Sequence, residues 1–196
     1  MSQLLLASGN VGKLKELSVA LADFGFNLQL QPKNSAYDVA ETGSTFVENA
    51  IIKARHAAKL SGLPTLADDS GLIVPALKGE PGVYSARYAG EQATDEQNYH
   101  RLLRNMQNIH DRRAYFYCCL VLMQHADDPA PVIAEGRWQG EISQQPGGDS
   151  GFGYDPVFYL PDLNCSAAEL PAIDKIRLSH RGQAVRALKS RLQSMQ

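Results

Sequence analysis

Apolar positions along the chain switch between two periods. Leu4 to Ala7 is an unbroken apolar run, which predicts a short buried strand. Leu14, Leu17, Leu21 and Phe24 then recur at helical spacing and predict a helix over 11–24, ended by Gly25. Leu28 to Leu30 predicts a second strand. Thr45-Phe46-Val47-Glu48 has capping-box spacing. Behind it Val47, Ala50, Ile51, Ala54 and Ala58 form an apolar stripe, so a second helix runs to Ser61-Gly62. Asn49, Lys53 and His56 share another face of that helix.

Further along, Thr65 to Ala67 reads as a strand leading into Asp68-Asp69-Ser70-Gly71, with Leu72 to Val74 pairing beside it. The stretch 75–90 is rich in Gly, Pro and Tyr and predicts a loop. A helix is expected over 94–106, and strands over 114–123 and 132–142 joined by a polar connection. A glycine-rich loop over 144–154 and a closing helix over 182–195 complete the pattern. Early alternation of strands and helices, with longer β pairing later, predicts an α/β fold with a mixed sheet. There is no repeat and no clean boundary, so residues 1–196 are read as a single domain.

Composition narrows the function classes. The 196 residues are 44% hydrophobic and 20% charged, with a net charge of −2, so no basic surface points to a nucleic-acid partner. Cys118, Cys119 and Cys165 form no CxxC pair, and the five histidines form no HExxH spacing. Cys118 and Cys119 lie in an apolar run and are expected as buried or half-buried thiols of a reducing compartment. The apolar start is short and has no basic leader, and nothing approaches a membrane span of about 20 residues. No membrane association and a cytoplasmic address are the expectations.

Four segments place polar residues and glycines where a core would not take them. Ser8-Gly9-Asn10-Val11-Gly12-Lys13 lies between a strand and a helix, whose unpaired N–H groups and partial positive charge suit a phosphate. It is neither a Walker A loop nor GxGxxG, and a plain strand–turn–helix is the alternative. Glu41, Asp68 and Asp69 are a second group: adjacent carboxylates ask for a counter-charge, and magnesium prefers such hard oxygen ligands. A capped turn is the alternative there. In Gly147 to Pro156, Phe152 or Tyr154 could stack on a base and Asp155 could accept from ring N–H groups, or the aromatics could plug the core. Ser179-His180-Arg181-Gly182 opens the last helix with cationic groups that oppose its dipole. They ask for an acceptor such as a phosphate or a base carbonyl, or else form a surface pair with a carboxylate.

Together these segments resemble the inosine triphosphate pyrophosphatase family, the bacterial non-standard purine nucleoside triphosphate pyrophosphatases. The resemblance rests on Ser8 to Lys13, Glu41 to Ala50, Ala67 to Leu72, Pro81 to Tyr88, Gly151 to Pro156 and Ser179-His180-Arg181, in the family's order along nearly the whole chain. Ser8 stands where the family usually has Thr, and Ile176-Arg177-Leu178 differ around the lysine position held by Lys175. The resemblance implies a mixed twisted β-sheet flanked by helices, with two lobes around a central nucleotide-binding cleft. It implies hydrolysis of ITP, dITP and XTP to the monophosphate and pyrophosphate, which cleanses the nucleotide pool, and a homodimer. It implies Mg2+ held by Glu41 and Asp69, with Asp69 also accepting the proton of the attacking water. Substrate contacts are implied at Ser8, Gly9, Asn10, Val11, Gly12, Lys13, Lys53, Ser70, Phe152, Gly153, Tyr154, Asp155, Lys175, His180 and Arg181. A cation-bound carboxylate is a poor base, so Asp68 stays open as the alternative base to Asp69. In a regular strand the two would face opposite sides.

Overall fold

The structure is a computed structural model describing residues 2–195. Its elements are β1 (Ser2–Leu6), α1 (Val11–Leu21), β2 (Phe26–Leu30), α2 (Phe46–Ser61), β3 (Thr65–Ile73), α3 (Asp95–Asn105), β4 (Arg113–Met123), β5 (Val132–Ile142), β6 (Phe158–Leu160), β7 (Cys165–Ser166), α4 (Ala172–Leu178) and α5 (His180–Gln193). Seven strands form one sheet in the order β2-β1-β3-β4-β5-β6-β7. β1 is parallel to β2 and β3, whereas β6 is antiparallel to β5 and β7. The α/β class and the mixed sheet expected from the sequence are therefore present.

Contacts divide the chain into two compact units. The first holds the chain up to Asp69, Cys118–Gly136 and the chain from Ala184 on. Its core joins Leu4 and Leu6 of β1, Leu17 and Leu21 of α1, Leu66 of β3, Leu120 and Leu122 of β4, and Leu188 of α5. Leu4, Leu5 and Leu6 are all buried, the mark of a parallel strand covered on both faces. The expected helix over 11–24 stops at Leu21. A 3-10 turn over Ala22–Phe24 follows and closes on Gly25 in the left-handed region at φ 69°.

The second unit holds Ser70–Tyr117 and Arg137–Gln183. Phe116 packs against Phe158 at 4.6 Å between ring centroids and against Trp138 at 6.3 Å. Gly140 lets Phe158 approach, because an added Cβ would lie 2.6 Å from its Cζ. Arg112 ties this unit together through backbone oxygens. Its guanidinium donates to the carbonyls of Ile142, Met106 and Ser143, so the end of α3 and the end of β5 share one cation. Burial draws its pKa below the ordinary arginine value.

Three local expectations change. Thr65–Ile73 is one nine-residue strand, not two short ones around a turn. β3 sits between β1 and β4, and ladder hydrogen bonds on both sides outweigh the turn preference of Asp-Ser-Gly. The 75–90 loop contains 3-10 turns at Pro75–Leu77 and Gly82–Arg87. The last helix opens at His180 rather than Gly182, because Ser179 Oγ accepts from the Gly182 amide at 3.2 Å and caps it. Among the described residues, no helix is long and apolar enough to cross a membrane.

Candidate active site

The charged centre of the first unit is built on β1, α1, α2 and β3. Asp68 and Asp69 sit inside β3, so their side chains leave the strand on opposite faces. Both are buried. Lys13 of α1 donates to Asp68 Oδ1 at 2.8 Å. Lys53 of α2 donates to Asp69 Oδ1 at 2.8 Å and lies 3.2 Å from Glu41 Oε1. The counter-charges of the adjacent carboxylates are thus two lysines from two helices.

The environment tunes these groups. Burial lifts the Asp69 carboxyl above the ordinary carboxylate range, although Lys53 opposes that rise. Burial alone would depress Lys53; Asp69, with Glu41 and Asp68 behind it, outweighs burial and holds the ammonium above the ordinary lysine value. Asp69 Oδ2 is buried and has no hydrogen-bond partner among the described residues. One oxygen of Asp69 is therefore fixed by Lys53 while the other can accept.

Ser8 to Lys13 forms the expected strand–helix connection. Asn10 is the N-cap of α1; its Oδ1 accepts from the Lys13 amide at 3.1 Å, and Ser8 Oγ accepts from the Asn10 amide at 3.1 Å. Gly9, Asn10, Val11 and Gly12 are exposed, and an added Cβ at Gly9 would meet nothing within 4 Å. The helix start therefore faces open space. A cavity of about 290 Å³ opens beside it, lined by Ser8, Lys13, Tyr37, Glu41, Lys53 and Asp68 among others. It brings together five polar side chains chosen from the sequence. Tyr37 was missed: it sits in a short 3-10 turn that no periodicity signals.

A cation fits this centre in kind. The Lys53 ammonium already sits between Glu41 and Asp69, and Asp69 keeps a buried oxygen without a partner. Among the described residues, no three His, Cys, Asp or Glu side chains are grouped to cage a metal. The donor set suits an ion that completes its shell with water and phosphate oxygens, as magnesium does.

The second unit holds the other candidates. Asp155 Oδ2 accepts from the Phe152 amide at 2.7 Å and from Lys175 Nζ. Lys175 Nζ also lies 4.5 Å from the centroid of the Phe152 ring. Phe152 is 62% exposed, a large aromatic face left open to solvent. Gly151 is required at φ 89°, where an added Cβ would come within 2.5 Å of Asp155 Oδ2. The two aromatics of this loop separate in role. Tyr154 is buried in the unit's core and its hydroxyl donates to the Ser85 carbonyl at 2.8 Å, so it anchors the loop and offers no free ring face. The Gly153 amide donates to Asp95 Oδ2 at 2.7 Å, a contact 58 positions away that spacing could not reveal.

His180 and Arg181 are not the surface pair considered from sequence. The His180 ring stacks on Phe116 at 4.8 Å and 14°, and Arg181 is buried. Gly182 allows this entry into α5, since an added Cβ would run into the Ile176 carbonyl oxygen. Ser70 lies half-buried in β3, directly after Asp69.

Fold and charged centre define an α/β enzyme. Residues 4–191 match the Ham1 family model, and the chain belongs to the Ham1 family. It is 54% identical over 190 residues to the dITP/XTP pyrophosphatase of Vibrio cholerae, covering 96% of this chain and 95% of that protein. It is 52% identical over 194 residues to the protein of the same name from Vibrio parahaemolyticus, covering 98% and 97%. Among solved structures, a HAM1 protein from Coxiella burnetii superposes with a TM-score of 0.95 at 49% identity, covering 99% of this chain and 100% of that one. The Staphylococcus aureus Ham1 protein gives 0.91 at 42% identity, with the same coverage.

Proposed function

We propose that this chain hydrolyses non-standard purine nucleoside triphosphates (ITP, dITP and XTP) to the nucleoside monophosphate and pyrophosphate. The observation that carries this reading is Asp69: a buried carboxylate with one oxygen on Lys53 and the other without a partner, beside a cavity lined by Lys13, Lys53 and Glu41. The names and identities of the relatives point the same way.

The reaction joins a water oxygen to the α-phosphorus and breaks the α–β phosphoanhydride bond, with pyrophosphate leaving. Asp69 Oδ2, which has no partner among the described residues, takes the water proton. Lys53 holds the other oxygen and fixes the carboxylate's direction. The α1 start, from Ser8 through Gly9, Asn10, Val11 and Gly12, receives phosphate oxygens. Lys13 adds charge there and exchanges Asp68 for phosphate. Glu41 and Asp69 would hold Mg2+, which when bound neutralises charge on the polyphosphate. Ser70 contacts the nucleotide beside Asp69.

Base choice follows from hydrogen-bond direction. Hypoxanthine and xanthine present an oxo acceptor at position 6 and an N–H donor at position 1, and adenine reverses both. His180 and Arg181 donate to the oxo group, and Asp155 accepts from the ring N–H. Among the described residues, the Phe152 amide and Lys175 Nζ both meet Asp155 at Oδ2, and Oδ1 would take the base. Polar groups left unpaired by adenine can discriminate by about 10⁴. Phe152 supplies a stacking face, Gly153 and Tyr154 hold that loop, and Lys175 holds the Asp155 carboxylate in place. The enzyme works in the cytoplasm as a homodimer.

A panel of purine and pyrimidine triphosphates assayed for pyrophosphate and for phosphate tests the reading. Pyrophosphate from dITP and XTP, far ahead of dATP, is the expected outcome. Phosphate release, or equal rates on dATP, would refute it.

A further inference from the structure

Glu41 lies outside any regular element, between the 3-10 turn Ser35–Tyr37 and α2. A carboxylate on such a segment is usefully placed only if something holds the segment. One face of α2 does so at three successive points. Asn49 Oδ1 accepts from the Gly43 amide at 2.8 Å. One turn on, Lys53 pairs with Glu41 at 3.2 Å. His56 Nε2 donates to the Ala36 carbonyl at 2.6 Å, which requires the proton on Nε2. Helix positions 49, 53 and 56 thus grip residues 43, 41 and 36, so the segment runs back along the helix in the opposite direction.

The grip is close. Asn49 is buried at 1% exposure, in a helix position where a polar side chain needs a partner. An added Cβ at Gly43 would sit 2.6 Å from Glu48 Cβ and 2.7 Å from Asn49 Oδ1, so the backbone lies directly on the helix. Between the two outer grips lie Tyr37, Asp38, Val39 and Glu41, all of which line the cavity shared with Lys13 and Lys53. Asn49, Lys53 and His56 on one face of α2 therefore hold one segment at three points.

We infer that Asn49 and His56 are positioning residues, splinting the 36–43 segment along α2 so that Glu41 stays beside Asp69 and Lys53. Neither touches the reacting atoms. The inference rests on the reading of Glu41 as a ligand of the catalytic cation.

The test uses His56→Ala and Asn49→Ala in the full chain, with two readouts. Backbone hydrogen exchange needs neither metal nor substrate; amides of 36–43 should exchange about tenfold faster in each variant while the rest of α2 is unchanged. In turnover of dITP, the Mg2+ concentration for half-maximal rate should rise several-fold, with kcat at saturating Mg2+ little altered. His56 is only half-buried, so His56→Ala retains the fold even if Asn49→Ala does not. Unchanged exchange in a folded His56→Ala chain would overturn the splint. Faster exchange with an unchanged Mg2+ requirement would overturn its link to Glu41. A wild-type chain whose turnover ignores Mg2+ would instead remove the cation reading and this inference with it.

Discussion

Asp68 and Asp69 are consecutive along β3, yet each carboxylate is held at 2.8 Å by a lysine from a different helix, Lys13 of α1 and Lys53 of α2. The pleat of a strand sends neighbours to opposite faces, so each carboxylate meets its own lysine. In the proposed reading Asp69, whose second oxygen has no partner among the described residues, takes the proton. Asp69→Asn should lower kcat by about 10²–10⁴ with KM within a few-fold of wild type, measured on dITP. Asp68→Asn frees Lys13 and should change KM more than kcat. The reverse pattern would make Asp68 the base.

Asp155 concerns selectivity rather than chemistry. Its replacement by Ala removes the acceptor that a ring N–H needs and releases both Lys175 and the Phe152 amide. The dITP-to-dATP ratio of kcat/KM should fall by at least tenfold in this variant, about 1.4 kcal/mol of discrimination. An unchanged ratio rejects the base-edge role.

Glu48 gives the fold an acid-sensitive joint. Its Oε2 accepts from the amides and hydroxyls of Ser44 and Thr45, each at 2.9 Å, and Thr45 Oγ1 accepts from the Glu48 amide at 3.3 Å. The Thr45 hydroxyl first, then the other donors, hold the Glu48 pKa below its ordinary 4.5. The unfolded chain therefore takes up this proton at higher pH than the folded one. The stabilisation is complete above the ordinary value and is lost as pH falls through the folded value. Glu48→Gln should lower Tm at neutral pH, and the gap to wild type should close as pH falls below the ordinary glutamate value. A gap independent of pH would contradict this.

Arg112 predicts a purely structural loss. Arg112→Met leaves the carbonyls of Met106, Ile142 and Ser143 without their shared donor. Denaturant unfolding should show a loss of more than about 2 kcal/mol, since bonds to a charged donor contribute about 1.5–3 kcal/mol each. Stability close to wild type would show that water replaces the guanidinium.

What could be read from the chain followed local physics. The capping box at Thr45 and Glu48, the stripe of α2 and the long strands β4 and β5 are set by neighbours in sequence, and the structure has them. The Asp68–Gly71 stretch was misread because its turn chemistry is local, whereas its place between β1 and β4 is not. Likewise β6, β7 and α4 carry too few residues to show a period. The candidate site was legible as residue types: Lys13, Glu41, Lys53, Asp68 and Asp69 do converge in the first unit. Its pairing was not, because each aspartate's lysine comes from a helix far from it in sequence. The sequence left open whether Phe152 or Tyr154 stacks on a base or plugs the core; Tyr154 is buried and bonded to Ser85, whereas Phe152 is exposed. Asp95 gave no signal, since its contact with Gly153 joins separate segments.

The central claim is that Asp69 directs a water at the α-phosphorus of a purine triphosphate. Turnover of dITP in water carrying heavy oxygen, followed by mass spectrometry of both products, tests it most directly. The label should appear in deoxyinosine monophosphate, with pyrophosphate unlabelled. Label in the pyrophosphate would place the attack on the β-phosphorus and contradict the account.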